Sequence, residues 1–159
     1  MANLPVVLHE RLGYWARHLR PRLPGWPVRW VETRSTADLH AALEGASCPI
    51  VLIDLGHRPR AGLEDLGEVH QVAPNSLSLV LNPLRLDGVP VLARRLGATH
   101  VMSGIAPPPL VADLLERWLP LARQRRDSQG WCRELPPEPE PEPWNWLSPL
   151  LAEPLRPAR

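Results

Sequence analysis

Short apolar runs alternate with stretches of helical spacing along this chain, and the alternation recurs five times. The densest run, Pro49-Ile50-Val51-Leu52-Ile53-Asp54-Leu55, reads as a strand buried on both faces, with the Asp54 carboxylate emerging at its C-terminal edge. Pro5 to Leu8 and Leu77 to Leu81 predict two further strands. Val28 to Val31, carrying Arg29, predicts an edge strand, and Thr99 to Met102 a short fifth one. Leu12, Trp15, Ala16 and Leu19 fall at i, i+3, i+4 and i+7 of a helix closed by Pro21 and Pro24-Gly25. Ser35 reads as the N-cap of a second helix, with Asp38 three residues on, Leu39, Ala42 and Leu43 inside and Gly45 as the stop. Leu63, Leu66, Val69 and His70 belong to a third helix, and Val89 to Leu96 predicts a fourth that begins near Asp87 and stops at Gly97. Pro107-Pro108-Pro109 opens a fifth, with inward rows Leu110, Leu114, Trp118 and Val111, Leu115. Pro120 predicts a kink or an end near Leu119.

Five strands alternating with helices at this spacing imply an α/β body: a doubly wound parallel sheet with helices on both faces. Periodicity leaves the strand order open, the flavodoxin-like order 2-1-3-4-5 being one common solution. Such sheets gather their chemistry outside the C-terminal strand ends. His9 and Glu10, Asp54, Asn82, and Ser103-Gly104 all stand at predicted ends of that kind.

Composition adds a second region. Residues 1–126 carry 15 Arg against 11 acids, whereas residues 127–159 carry 3 against 6. The domain is expected over 1–126 and a Pro/Glu-rich tail over 127–159. Pro136-Pro137-Glu138-Pro139-Glu140-Pro141-Glu142-Pro143 predicts an extended spacer. Beyond it, Trp144, Trp146, Leu147, Leu150 and Leu151 are too apolar for an idle tail and predict a docking segment. The tail is too short and too rich in Pro for a helix-turn-helix, and the charge balance does not demand nucleic acid. Cys48 and Cys132 make neither a metal-ligand spacing nor a disulfide framework. The N-terminus lacks a basic leader, and no run of about 18 apolar residues exists to span a membrane, so the cytoplasm is expected.

On Ile50-Val51-Leu52-Ile53-Asp54-Leu55, on Leu96-Gly97-Ala98 entering the fifth strand, and on the alternation over roughly residues 4–125, the sequence resembles the receiver domains of two-component response regulators. The resemblance implies the 2-1-3-4-5 order and a phosphoacceptor pocket in which Asp54 takes the phosphoryl group beside a carboxylate-held Mg²⁺. It also implies an acidic pair at the end of strand one, where this chain has His9 and Glu10. A hydroxyl is implied at the end of strand four, where Asn82 stands. A lysine is implied at the end of strand five, where Gly104 stands. All 18 basic residues are Arg, so no Lys elsewhere substitutes.

The expected function is therefore a degenerate receiver, a non-catalytic regulatory module that binds a protein partner and is not phosphorylated, with no metal or cofactor. The Trp/Leu segment and a face with Arg94, Arg95 and Trp118 are its expected contacts. Pairing of two copies through the fourth and fifth helices is a related expectation, with Asp113 and Glu116 opposite the arginines. One alternative is a working receiver phosphorylated on Asp54, which would need Mg²⁺. A weaker one is a small-ligand sensor or an enzyme using the strand-edge crevice, for which no Gly-rich phosphate loop, nucleophile elbow or His/Cys metal cluster is present. His57 beside Asp54 reads as a solvated loop histidine.

Overall fold

A computed structural model describes residues 3–134, with side chains through residue 128. Five strands, β1 (Leu4–His9), β2 (Val28–Thr33), β3 (Ile50–Asp54), β4 (Leu77–Asn82) and β5 (His100–Ser103), form one sheet in the order β2-β1-β3-β4-β5. Every pairing is parallel. The helices are α1 (Tyr14–Leu19), α2 (Thr36–Leu43), α3 (Pro59–Val72), α4 (Val89–Arg95) and α5 (Pro108–Glu134), with a short 3-10 turn at Arg20–Arg22.

Strand alternation divides the core in two. Leu4, Val6, Leu8, Ile50, Leu52, Leu77, Leu79 and Leu81 face one side and pack with Trp15 and Leu19 of α1 and with Val111, Leu115 and Trp118 of α5. Val7, Val51, Ile53 and Val80 face the other side, against Leu39 and Leu43 of α2, Leu63, Leu66 and Val69 of α3, and Ala93 of α4. The inner strands β1, β3 and β4 are buried almost throughout, whereas β2 at the edge is buried only at Val28 and Thr33, with Arg29 and Glu32 exposed.

Three local expectations are corrected. Leu12 lies outside α1 and is 85% exposed, because Gly13 takes a left-handed φ of 67° as N-cap and the helix starts only at Tyr14. Leu110 is exposed, and the inner face of α5 is built instead from Val111, Ala112, Leu115, Trp118, Leu119 and Ala122. Helix α5 also continues through Pro120, so of the expected kink or end near Leu119 the end is ruled out. Buried Trp118, Leu119 and Ala122 hold both sides of Pro120 on the sheet, and Glu116, whose carbonyl loses its intrahelical N–H donor there, is exposed to water.

Strand register lines up the functional edge. His9 lies level with Thr33 and with Ile53, Asp54 with Leu81, and Asn82 with Ser103. The ends of all five strands thus meet at one edge.

Candidate functional site

Glu10 follows β1 directly and points to the α1 side of the sheet. Because Gly13 begins a helix so soon, the Glu10 carboxylate reaches its first turn, where Oε2 accepts the Trp15 N–H at 2.9 Å and Oε1 accepts the Ala16 N–H at 2.8 Å. Both N–H groups are among those an α-helix cannot satisfy internally, and the negative charge complements the helix dipole. Glu10 is buried.

His9 points to the opposite face. Its Nδ1 lies 2.9 Å from Thr33 Oγ1 and its Nε2 3.0 Å from Asp65 Oδ2. Asp65 Oδ1 also accepts the Thr36 hydroxyl at 2.6 Å. The imidazole that stands in place of an acid therefore ties β1 to β2, α2 and α3 through a buried polar cluster.

Asp54 is half-buried at the end of β3. Its Oδ2 accepts the Trp15 indole N–H at 3.0 Å, and its Oδ1 accepts the Gly56 N–H at 3.0 Å. The indole, whose ring is buried in the core, presents its one polar atom to this carboxylate. His57 is exposed.

Asn82 is buried, and its amide fastens the β4–α4 loop. Nδ2 donates to the Leu86 carbonyl at 3.1 Å and to Ser103 Oγ at 3.4 Å, while Oδ1 accepts the Leu86 N–H at 3.2 Å. The Asn82 carbonyl accepts the Arg85 and Gly104 N–H groups. Gly104 has a φ of +90°, and a Cβ there would run into the guanidinium of Arg85, 2.9 Å from Nη2 and 3.0 Å from Cζ. Arg85, itself at a φ of 52°, thus fills the space in which a side chain at the end of β5 would begin.

The edge is divided between two neighbourhoods. A cavity of about 640 Å³ is lined by His9, Glu10, Asp54 and Asp65 together with residues of the loops after β1, β2 and β3. Asn82 and Gly104 do not line it. Among the described residues, every buried side-chain nitrogen and oxygen has a hydrogen-bond partner.

The Mg²⁺ that the resemblance implies does not suit this donor set. A hard cation wants several carboxylate oxygens, but one acid is replaced by imidazole, both Glu10 oxygens accept helix N–H groups, and both Asp54 oxygens accept N–H donors. Among the described residues no three His, Cys, Asp or Glu side chains converge in a way that would hold a metal ion.

Of the other residues singled out, Arg94 and Arg95 are exposed on α4, as are Asp113 and Glu116 on α5. Trp118 is buried in the core, which removes it from any contact surface and corrects its assignment there. Trp144, Trp146, Leu147, Leu150 and Leu151 lie outside the described residues. Among the described residues no helix is long and apolar enough to cross a membrane. Trp15, Asp65, Thr33, Thr36 and Arg85 shape the site without having been singled out for it. Two of them left a trace in the sequence. Asp65 falls between Gly62 and Val69 on the inward stripe of α3, where an acid needs a partner, and a buried Trp needs an acceptor for its N–H.

No protein-family model and no curated protein matches the sequence. Solved structures do match it. The phosphorylated cyanobacterial phytochrome response regulator RcpA is 20% identical, with a TM-score of 0.61 over 74% of this chain and 95% of that one. The BeF3-activated DrrB receiver domain is 16% identical, with a TM-score of 0.60 over 76% of this chain and 99% of that one. An adenylate cyclase from Rhodopirellula baltica is 11% identical, with a TM-score of 0.67 over 84% and 99%. At these identities the likeness establishes the fold. The chain carries a receiver-like domain with the flavodoxin-like 2-1-3-4-5 sheet.

Proposed function

We propose that this protein is a degenerate receiver: a non-catalytic regulatory module in signalling that acts through protein contacts and does not accept a phosphoryl group. One observation carries the reading. Of the five pocket positions, the four with side chains are engaged in internal bonding, Glu10 with the start of α1, His9 with Asp65 and Thr33, Asp54 with Trp15 and Gly56, and Asn82 with Leu86 and Ser103, and the fifth is Gly104. Phosphoryl transfer onto a carboxylate needs a free attacking oxygen and a cation to neutralise the incoming charge. The reading is supported by the N–H donor already on each Asp54 oxygen and by the imidazole that stands where a second metal-holding acid is implied.

Incubation with acetyl phosphate and Mg²⁺, followed by intact-mass measurement, tests the reading. No adduct is expected. A stoichiometric adduct that disappears in Asp54→Ala would establish the working receiver instead.

The partner contacts fall on two stretches. One is α4, where Val91 and Leu92 are exposed beside Arg94 and Arg95 and offer apolar area flanked by charge. The other is the Trp144/Trp146 segment beyond its Glu-Pro spacer, since Trp is enriched among binding anchors. Replacing both Trp by Ala is expected to leave the melting temperature of the domain unchanged and to abolish capture of a partner by the full chain. A large loss of stability would make the segment part of the protein's own fold.

A further inference from the structure

The cavity outside β1, β2 and β3 encloses about 640 Å³, within the range of about 300–1,000 Å³ that small-molecule sites occupy. It lies at the switch point of the sheet, where β1 sits between β2 and β3 and the winding reverses. Its acids are already used. Glu10 caps α1, Asp54 accepts from Trp15 and Gly56, and Asp65 is bonded to His9 and Thr36.

Its cations are not used. Arg11, Arg34 and Arg58, one from each of the three loops, line the cavity and have no hydrogen-bond or ion-pair partner for their guanidinium groups among the described residues. Two of them stand at helix starts. Arg34 precedes Ser35, the N-cap of α2, and Arg58 is itself the N-cap residue of the 14-residue α3, whose first turn contains no acid. The dipole of α3 therefore adds to the positive potential of the guanidinium groups, whereas Asp38 in the first turn of α2 offsets that of α2. The lining also includes Leu12, 85% exposed, and Tyr14, 44% exposed.

Guanidinium forks grip phosphate in a bidentate manner, and an exposed ring and a leucine suit the flat body of a base. We propose that this cavity binds a nucleoside monophosphate, with its phosphate between Arg34 and Arg58 and its base against Leu12 and Tyr14. The proposal does not rest on the loss of phosphoacceptor chemistry.

Calorimetric titration of the full chain with each of the four ribonucleoside monophosphates tests it, with the matching nucleoside and inorganic phosphate as the two halves of the ligand. At least one monophosphate should bind saturably, about tenfold or more tighter than either half. Arg34→Gln and Arg58→Gln change exposed side chains. Each should weaken that binding about tenfold without moving the melting temperature of the ligand-free protein, and Arg→Lys should restore only part of it. Three outcomes overturn the proposal: no saturable heat with any monophosphate, equal affinity for inorganic phosphate, or undiminished affinity in both Gln variants. An Asp54 adduct is read separately by mass, so the failure of one proposal is distinguishable from the failure of the other.

Discussion

Glu10→Ala separates two uses of one carboxylate. In this structure the side chain accepts the buried N–H groups of Trp15 and Ala16 at 2.9 and 2.8 Å. Truncation leaves both donors without a partner at the start of α1 and removes a negative charge from the positive end of the helix dipole. Hydrogen bonds to a charged group contribute roughly 1.5–3 kcal/mol each, and loss of a helix cap alone costs about 0.5–2 kcal/mol. The Glu10 side chain borders the cavity, so water can enter the vacated space and recover part of the loss. The expected cost is therefore about 3 kcal/mol, from the low end of two charge-assisted bonds. For a body of this length each kcal/mol moves the midpoint by about 3–5 °C, giving a fall of roughly 10 °C.

Urea and thermal unfolding of the full chain, followed by circular dichroism with and without millimolar Mg²⁺, would measure the effect. Glu10→Gln should fall between the parent and Glu10→Ala, because the amide oxygen can keep one acceptor bond while its NH₂ faces the other N–H. An acid maintained for a metal behaves in the opposite way. Without the cation it is repelled by the neighbouring carboxylate, and neutralising it leaves stability unchanged or raises it. A Glu10→Ala protein as stable as the parent, or a Mg²⁺-dependent gain in the parent that the variant lacks, would refute the capping role.

Gly104→Ala should cost about 1–2 kcal/mol, because it forces a Cβ onto a φ of +90° and into the Arg85 guanidinium. Adding Arg85→Ala should recover the steric part only, so full recovery in the double variant would show that backbone strain is absent. Cys48 predicts an alkaline effect. Burial raises its thiol above the ordinary value of 9.0, outweighing Arg125 and Arg126, and its Sγ–H donates to the Asn75 carbonyl at 3.0 Å. The unfolded chain ionises first as pH rises, so this contribution is present below about pH 9 and is lost as pH climbs through the raised value of the folded state. With no Lys and one Tyr in the chain, few other groups titrate there. Urea midpoints compared between the parent and Cys48→Ala should converge above that pH, and parallel curves would count against the assignment.

The fold was legible because each strand and helix declared itself locally. Ile50 to Asp54 is apolar on both faces, Ser35 caps α2 through the Asp38 N–H, and Arg29 marks the edge strand. What misled was also local. Leu12 fits the helical period, but Gly13 sets the start of α1 one residue after itself, and Pro120 is tolerated because the residues around it are anchored on the sheet. At the site, the sequence placed His9, Glu10, Asp54, Asn82 and Gly104 at the correct edge, since strand ends follow from strand spacing. Which partners they meet was not legible, because Thr33, Asp65 and Trp15 come from other elements 24, 56 and 39 residues away along the chain, even though a buried acid at Asp65 and a buried indole at Trp15 signalled that partners were needed. Arg85 left no trace at all, since a positive φ at a non-glycine residue has no sequence signature.

The substitutions at this edge make sense as a set. The resemblance to receivers implies carboxylates crowded at this edge, where like charges at close range raise one another's cost of ionisation. Here each acid has hydrogen-bond partners of its own: the first-turn N–H groups of α1 for Glu10, the His9 imidazole and the Thr36 hydroxyl for Asp65, and an indole and a backbone N–H for Asp54. These bonds tie the edge to the surrounding helices and loops. The far half is tied in the same way. In the receivers this chain resembles, a hydroxyl at the end of strand four engages the phosphoryl group and drives switching. Asn82 instead joins Leu86 to Ser103 and holds the loop that leads into α4. In the degenerate receiver proposed above, chemistry at Asp54 would reach α4 only by breaking several of these bonds together. On the proposed reading, regulation then falls to the two surfaces assigned to binding, the arginine-lined cavity and the exposed face of α4.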